Sequence, residues 1–168
     1  MENDGIHIRK LTHLDWDCIS RIYREGLETG IASFETGVPS WKVWNQAHDD
    51  QCRLVVELNQ QIIGYSALLP LSQRPQFKGV AEVRIYVSAG YRGIGVGVKL
   101  LKELIRMSEV FGYWSLQVST FKENTSAQSL CKKVGFRQIG VREKLAKRNT
   151  EWHDVILLER RSHIVGID

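Results

Sequence analysis

The sequence predicts a mixed α/β domain whose central, mostly antiparallel sheet is flanked by helices. Three observations carry that prediction. Apolar residues recur at alternating spacing in some segments and at helical spacing in others, in the order β-α-α-β-β-β-α-β-α-β-β. Short turns such as Asn59-Gln60-Gln61 join consecutive strand-like segments, which favours antiparallel neighbours. The 168 residues, 43% hydrophobic and 25% charged, form one domain over residues 1–168, with no repeat, low-complexity tract or linker dividing them.

Each element has its own local reason. Ile6-His7-Ile8-Arg9 alternates and reads as a short strand. Asp15 or Asp17 caps a helix through about Leu27, with Trp16, Ile19, Ile22, Tyr23 and Leu27 at helical spacing and Gly26 and Gly30 bracketing its end. A loop over 30–39 carries Ser33-Phe34-Glu35, and Ser40 caps a second helix through Trp41, Trp44 and His48. Strands follow over 53–58, 62–69 and 80–87. In the third, Ala81, Val83, Ile85 and Val87 face one way and Glu82, Arg84 and Tyr86 the other. After a glycine-bearing turn over 89–97, residues 98–111 form an amphipathic helix with Leu101, Leu104, Ile105, Ser108 and Phe111 on one side. Gly112 ends it. A strand over 114–120, a helix over 125–134 stopped by Gly135, and strands over 136–142 and 151–158 complete the order.

Composition narrows the function classes. No apolar run approaches the ~20 residues of a membrane-spanning helix. Cys18, Cys52 and Cys131 are odd in number and far apart, against both a disulfide scaffold and a structural zinc site. Met1-Glu2-Asn3-Asp4 opens acidic, without the basic-then-apolar pattern of a signal peptide, and the expected location is the cytoplasm. The net charge of +4 is spread out, with local concentrations at residues 142–144 and 147–148, and lacks the dense basic stripe of a nucleic-acid binder. The histidines show no metal-ligand spacing, so no metal is expected; His153, between Trp152 and Asp154, reads as structural or interfacial.

The most informative stretch is Arg92-Gly93-Ile94-Gly95-Val96-Gly97, between a strand and a helix. Glycines there let backbone N–H groups approach a phosphate, and the helix N-terminus adds partial positive charge. Two nucleotide motifs fail on spacing. A dinucleotide fingerprint needs Gly where Val98 stands, and a P-loop needs Gly at Val98 and Ser or Thr at Leu100.

Arg92-x-x-Gly95-x-Gly97, followed by Asn124-x-x-Ala127-x-x-Leu130 and Gly135-Phe136, resembles the GNAT family of acyl-CoA-dependent N-acetyltransferases. The order of elements is similar to that family's fold. Ile22-Tyr23, Ala32-Ser33-Phe34-Glu35 with Pro39 and Trp44, the strand Glu82-Val83-Arg84-Ile85-Tyr86-Val87 and Trp152-x-Asp154 resemble its phosphinothricin (methionine sulfoximine) acetyltransferase branch. The likeness runs from about Ile8 to Arg160.

The resemblance implies an enzyme that moves an acetyl group from acetyl-CoA to the α-amine of a small amino acid or analogue, by direct attack in a ternary complex. It implies that pantetheine lies along Ile85, Tyr86 and Val87, that the pyrophosphate sits on the N–H groups of Gly93, Ile94, Gly95, Val96, Gly97 and Val98 with Arg92 nearby, and that Asn124 bonds the pantetheine arm. It places Glu82 as the base, in competition with a plain ion pair to Arg84. Phe34 and Glu35 are expected in the acceptor pocket, with Arg74 as a two-pronged carboxylate anchor and Phe77 as packing for the acceptor's side chain. The partner expected besides the small-molecule amine is a second copy of the chain. Other amines (a peptide N-terminus, a polyamine, an aminoglycoside) and a non-catalytic acyl-CoA-binding domain are the alternatives. Two departures stand out: Cys131 occupies the position of a frequent Tyr acid, and Val83-Arg84 replace the commoner His-Ser, bringing a positive charge beside Glu82 that would alter acceptor choice.

Overall fold

The computed structural model describes residues 5–168, so the acidic opening at 1–4 lies outside the described residues. Seven strands form one sheet: β1 (Ile6–Lys10), β2 (Arg53–Leu58), β3 (Gln61–Pro70), β4 (Val80–Val87), β5 (Ser115–Phe121), β6 (Arg137–Arg148) and β7 (Glu151–Arg161). Their spatial order is β1-β2-β3-β4-β5-β7-β6. Among the described residues every pairing is antiparallel except β4 with β5. The helices are α1 (Trp16–Glu28), α2 (Trp41–Ala47), α3 (Val96–Val110) and α4 (Thr125–Lys133). The expected fold class holds.

The alternation of β4 decides how the layers stack. Ala81 and Val83 turn to one face, where α3 and α4 bury Val96, Leu100, Leu104 and Cys131 in a continuous apolar layer. The opposite face carries Tyr65, Ala67 and Tyr86 against Ile19 and Ile22 of α1 and Trp44 of α2. Each fully buried Leu or Ile stabilises the fold by roughly 1.5–3 kcal/mol. Gly26 lets α1 come this close, because a Cβ there would lie 2.5 Å from the Tyr86 ring.

Several boundaries differ from expectation for local reasons. The hairpin turn is two residues long, Asn59 and Gln60, both at positive φ, so β3 starts at Gln61. Helix α3 begins at Val96, which is buried and follows the left-handed Gly95. Strand β6 runs on to Arg148. Its charged second half is an edge strand, and the register with β7 shifts between Arg142 and Ala146 at a bulge where Lys144 has φ 44°.

One feature of the sheet positions the site. Strands β4 and β5 pair only over Val80–Ser115, Ala81–Leu116 and Glu82–Gln117. Beyond Glu82 they part, while β5 stays paired with β7 as far as Phe121–Val155. The main-chain edge of β4 from Val83 to Val87 therefore faces a wedge rather than a neighbouring strand.

Candidate active site

The wedge holds a slot of about 230 Å³, lined by Val83, Arg84, Ile85, Tyr86 and Val87 of β4, by Val118, Ser119 and Thr120 of β5, and by Arg92 and Asn124. Unpaired strand N–H and C=O groups along such a slot suit an extended amide-bearing chain. At its end comes the glycine turn. Gly93 and Gly95 have φ of 79° and 88°, and an added Cβ at either would meet nothing within 4 Å, so the backbone there is open to a ligand. Gly95 is the N-cap of α3 and offers no capping side chain, which leaves the N–H groups of Val96, Gly97 and Val98 without a side-chain cap, a setting that suits an anion; Ile94 itself points to solvent. Gly97 seats the first turn against Leu130 and Val87. Arg92 donates from Nε to the Val87 carbonyl at 3.0 Å, which fixes its guanidinium beside this turn. The Asn124 oxygen accepts from the Ala127 N–H at 3.2 Å to cap α4. Its NH₂ is left as the donating half of the amide.

A second cavity, about 720 Å³, opens on the α1/α2 side. Phe34 and Glu35 of the 30–40 loop line it, together with Tyr23, Trp44, His48, Tyr65, Glu82 and Arg84. The two cavities meet: Ala32, Arg84, Tyr86, Ser119 and Thr120 line both. Glu82, 8% exposed, lines the larger cavity and reaches that junction through Arg84 and Ser119. Its Oε2 accepts from Gln117 Nε2 at 3.1 Å and Ser119 Oγ at 3.4 Å, and its Oε1 lies 2.8 Å from Arg84 Nη2. The ion pair with Arg84 is thus formed, and the same carboxylate faces the larger cavity.

The rings around the junction pack against one another. Tyr86 stacks on Tyr65 at 5.5 Å and meets the Tyr23 ring edge-on at 5.0 Å. Burial pushes all three phenols up, so they stay protonated at neutral pH. His48 stacks on Trp44 at 4.2 Å, and its Nδ1 lies 2.7 Å from the Trp44 carbonyl oxygen. Burial, with Arg84 and Arg53 adding repulsion, pushes the His48 pKa down to about 4. Arg53, itself 5% exposed, donates to the carbonyls of Asn45 and His48 and lies over the Trp44 ring, so it clamps the end of α2 to β2.

Two expectations are corrected. Arg74 and Phe77 line neither cavity. Pro75 starts a 3-10 turn over Pro75–Phe77 for which Arg74 is the N-cap, and this turn folds the guanidinium over the Phe77 ring at 5.3 Å, with both side chains exposed. The cavity's guanidinium is Arg84. Cys131 is buried in the layer under α4, and burial pushes its thiol up to about 12, which fits packing. His153 stacks on Phe121 at 4.4 Å. The sequence reading missed Gln117, Ser119 and His48 as site residues. Alternation puts Gln117 and Ser119 on one face of β5, but only the pairing with β4 brings that face to Glu82.

Residues 11–136 match the Acetyltransferase (GNAT) family. The L-amino acid N-acetyltransferase AaaT of Escherichia coli (strain K12) is 26% identical over 162 residues, 92% of this chain and 97% of that protein. The phosphinothricin N-acetyltransferase of Alcaligenes faecalis is 27% identical over 168 residues, 91% of this chain and 81% of that protein. A GNAT superfamily phosphinothricin acetyltransferase (Pat) from Sinorhizobium meliloti, solved in complex with AcCoA, shares the fold with a TM-score of 0.87 at 22% identity, over 98% of this chain and 92% of that one. With the family matched across three-quarters of its length, on a wedge between β4 and β5 that ends in a glycine-capped helix, this chain belongs to the acetyltransferase (GNAT) family.

Proposed function

We propose that the chain, acting as one catalytic domain, acetylates the α-amine of a small amino acid or amino-acid analogue, with Glu82 as the base and Arg84 as the carboxylate anchor. The observation that carries this reading is the Glu82–Arg84 pair at the junction of slot and cavity. Acetyl-CoA, the donor of this family, supplies an activated acetyl thioester. The residues present fit it: the open edge of β4 suits its amide-bearing arm, and the N–H groups of Val96 to Val98 suit its phosphates.

Glu82 and Arg84 then divide the acceptor between them. A guanidinium has five N–H donors, more than one carboxylate takes, so Arg84 can hold the acceptor's carboxylate while keeping Glu82. Glu82 accepts the proton that the ammonium group gives up, directly or through a water. The neutral amine forms the new C–N bond as the C–S bond breaks, the sulfur leaves as the thiolate of CoA, and that thiolate takes up the second proton the nitrogen loses as the amide forms. The α-ammonium group of a free amino acid, with pKa about 9, is ~1% neutral at pH 7, a deficit of ~2.7 kcal/mol that proton transfer to the carboxylate helps to meet.

The Glu82→Gln variant tests the base. It should cut kcat by about 10²-fold or more near neutral pH, with partial recovery as pH rises and the amine loses its proton unaided. Near-full turnover across the pH range would remove Glu82 from the role.

The same reading has the protein act in the cytoplasm as a homodimer. Its three free cysteines and the exposed Ile139, Val141 and Trp152 on the β6–β7 hairpin support this. A 19.3 kDa species by size exclusion with light scattering at micromolar concentration would exclude the dimer.

A further inference from the structure

The wall of the acceptor cavity has an asymmetric set of charges. Among the described residues lining it are two carboxylates, Glu35 and Glu82, and one guanidinium, Arg84. His48 adds no positive charge. The carbonyl oxygen of Trp44 can only accept, so the hydrogen on His48 sits at Nδ1, and burial beside Arg84 and Arg53 keeps the ring neutral at physiological pH. The phenols of Tyr23, Tyr65 and Tyr86 carry no charge either. Much of the remaining wall is apolar, including Phe34, Val38, Val43, Trp44, Leu69 and Leu145. The cavity's volume, about 720 Å³, falls within the ~300–1,000 Å³ range that accommodates drug-sized ligands, so there is room for a bulky side chain.

We propose that the acceptor is an α-amino acid with an uncharged aliphatic, thioether or aromatic side chain, and that the cavity rejects acceptors carrying a second anion. The proposal rests on the α-amino-acid reading above. Once Arg84 holds the α-carboxylate, no further cation lines the wall to meet a side-chain anion. A phosphinate or a second carboxylate would lie unpaired on apolar surface, in the field of Glu35 and Glu82. A neutral side chain instead packs on the Trp44–His48 stack, which Arg53 holds in place from behind. An uncharged polar group such as a sulfone is tolerated, since it leaves no net charge to neutralise. A cationic side chain loses hydration against the same apolar wall, and the exposed, solvent-screened Glu35 carboxylate offsets only part of that loss.

The test is CoA release from acetyl-CoA by the full chain, with L-methionine, L-phenylalanine, methionine sulfone, L-glutamate, phosphinothricin and L-lysine as acceptors. The expected kcat/KM is about 100-fold or more higher for the three uncharged side chains than for glutamate and phosphinothricin, with lysine also well below methionine. Val43 lines the cavity from α2 and is 57% exposed, so Val43→Lys adds a cation there at little cost to the fold. That variant should raise the phosphinothricin-to-methionine ratio of kcat/KM about tenfold or more. Leu145→Lys, on β6 across the cavity, gives an independent second placement. Wild-type turnover of phosphinothricin, glutamate or lysine within about threefold of methionine would overturn the proposal, as would an unchanged phosphinothricin-to-methionine ratio in both lysine variants. Turnover of no α-amino acid at all, with turnover of another amine, would instead refute the α-amino-acid reading.

Discussion

Replacing Arg84 by Met keeps the unbranched apolar stem and removes the guanidinium with its charge, and the consequence depends on whether the acceptor has a carboxylate. In the structure the guanidinium lies 2.8 Å from Glu82 and its side chain is 34% exposed, so water partly screens it. A hydrogen bond to a charged group contributes about 1.5–3 kcal/mol when well shielded, and partial exposure puts Arg84 toward the lower end. That corresponds to a loss of roughly 10–30-fold in kcat/KM for an α-amino acid. The substitution also strips Glu82 of its ion-pair partner, which affects every acceptor alike. The assay therefore compares L-methionine with its decarboxylated amine, 3-(methylthio)propylamine, by CoA-thiol release in wild type and variant. The wild type should favour methionine by roughly tenfold or more, and Arg84→Met should bring the two acceptors within about threefold of each other. An unchanged ratio, both rates falling together, would show that Arg84 acts only through Glu82 and would refute the carboxylate-anchor role.

Two further outcomes follow from the same geometry. His48 stays neutral in the folded chain down to about pH 4, whereas its ordinary pKa is 6.5. Between those values the unfolded chain binds the extra proton, so this contribution is complete above pH 6.5 and is lost as pH falls toward 4, by roughly 3 kcal/mol in all. Urea titrations near pH 7 and pH 4.5 should show His48→Gln losing about 2 kcal/mol less than wild type over that interval, and equal losses would contradict the assigned state of His48. Gly95→Ala forces a Cβ onto a residue at φ 88°. The turn should relax away from its phosphate-cradling shape and raise KM for acetyl-CoA about tenfold, with KM for the amine little changed; the reverse pattern in steady-state kinetics would remove Gly95 from the donor site.

Local chemistry made a good part of this molecule readable in advance. The strict alternation of β4 placed Glu82, Arg84 and Tyr86 on one face, and the structure keeps them there because Ala81 and Val83 are needed under α3. Ser40 caps α2 by accepting from the Val43 N–H at 3.3 Å, as its position implied. The glycine turn was legible for the same reason: left-handed backbone at Gly93 and Gly95 demands that residue type. What failed to show was anything set by distant partners. Arg74 stands close before β4 in the chain, but Pro75 turns it outward, and nearness in sequence carries no direction. His48 reaches the cavity because buried Arg53, on another element, holds its carbonyl. Gln117 and Ser119 reach Glu82 through the short parallel register of β4 and β5, a non-local pairing that no single segment encodes. The second half of β6 was hidden by its charges, since an edge strand open to solvent need not alternate.

The central claim is that this chain joins an acetyl group to the α-amine of an amino acid at the Glu82–Arg84 junction. The most direct measurement is mass-spectrometric detection of the N-acetyl product alongside CoA, with purified protein, acetyl-CoA and L-methionine. The account predicts N-acetylmethionine and CoA in equal amounts, at a rate that saturates in both substrates. CoA released at the same rate with and without amine, or acetyl-CoA bound with no α-amino acid ever acetylated, would contradict it.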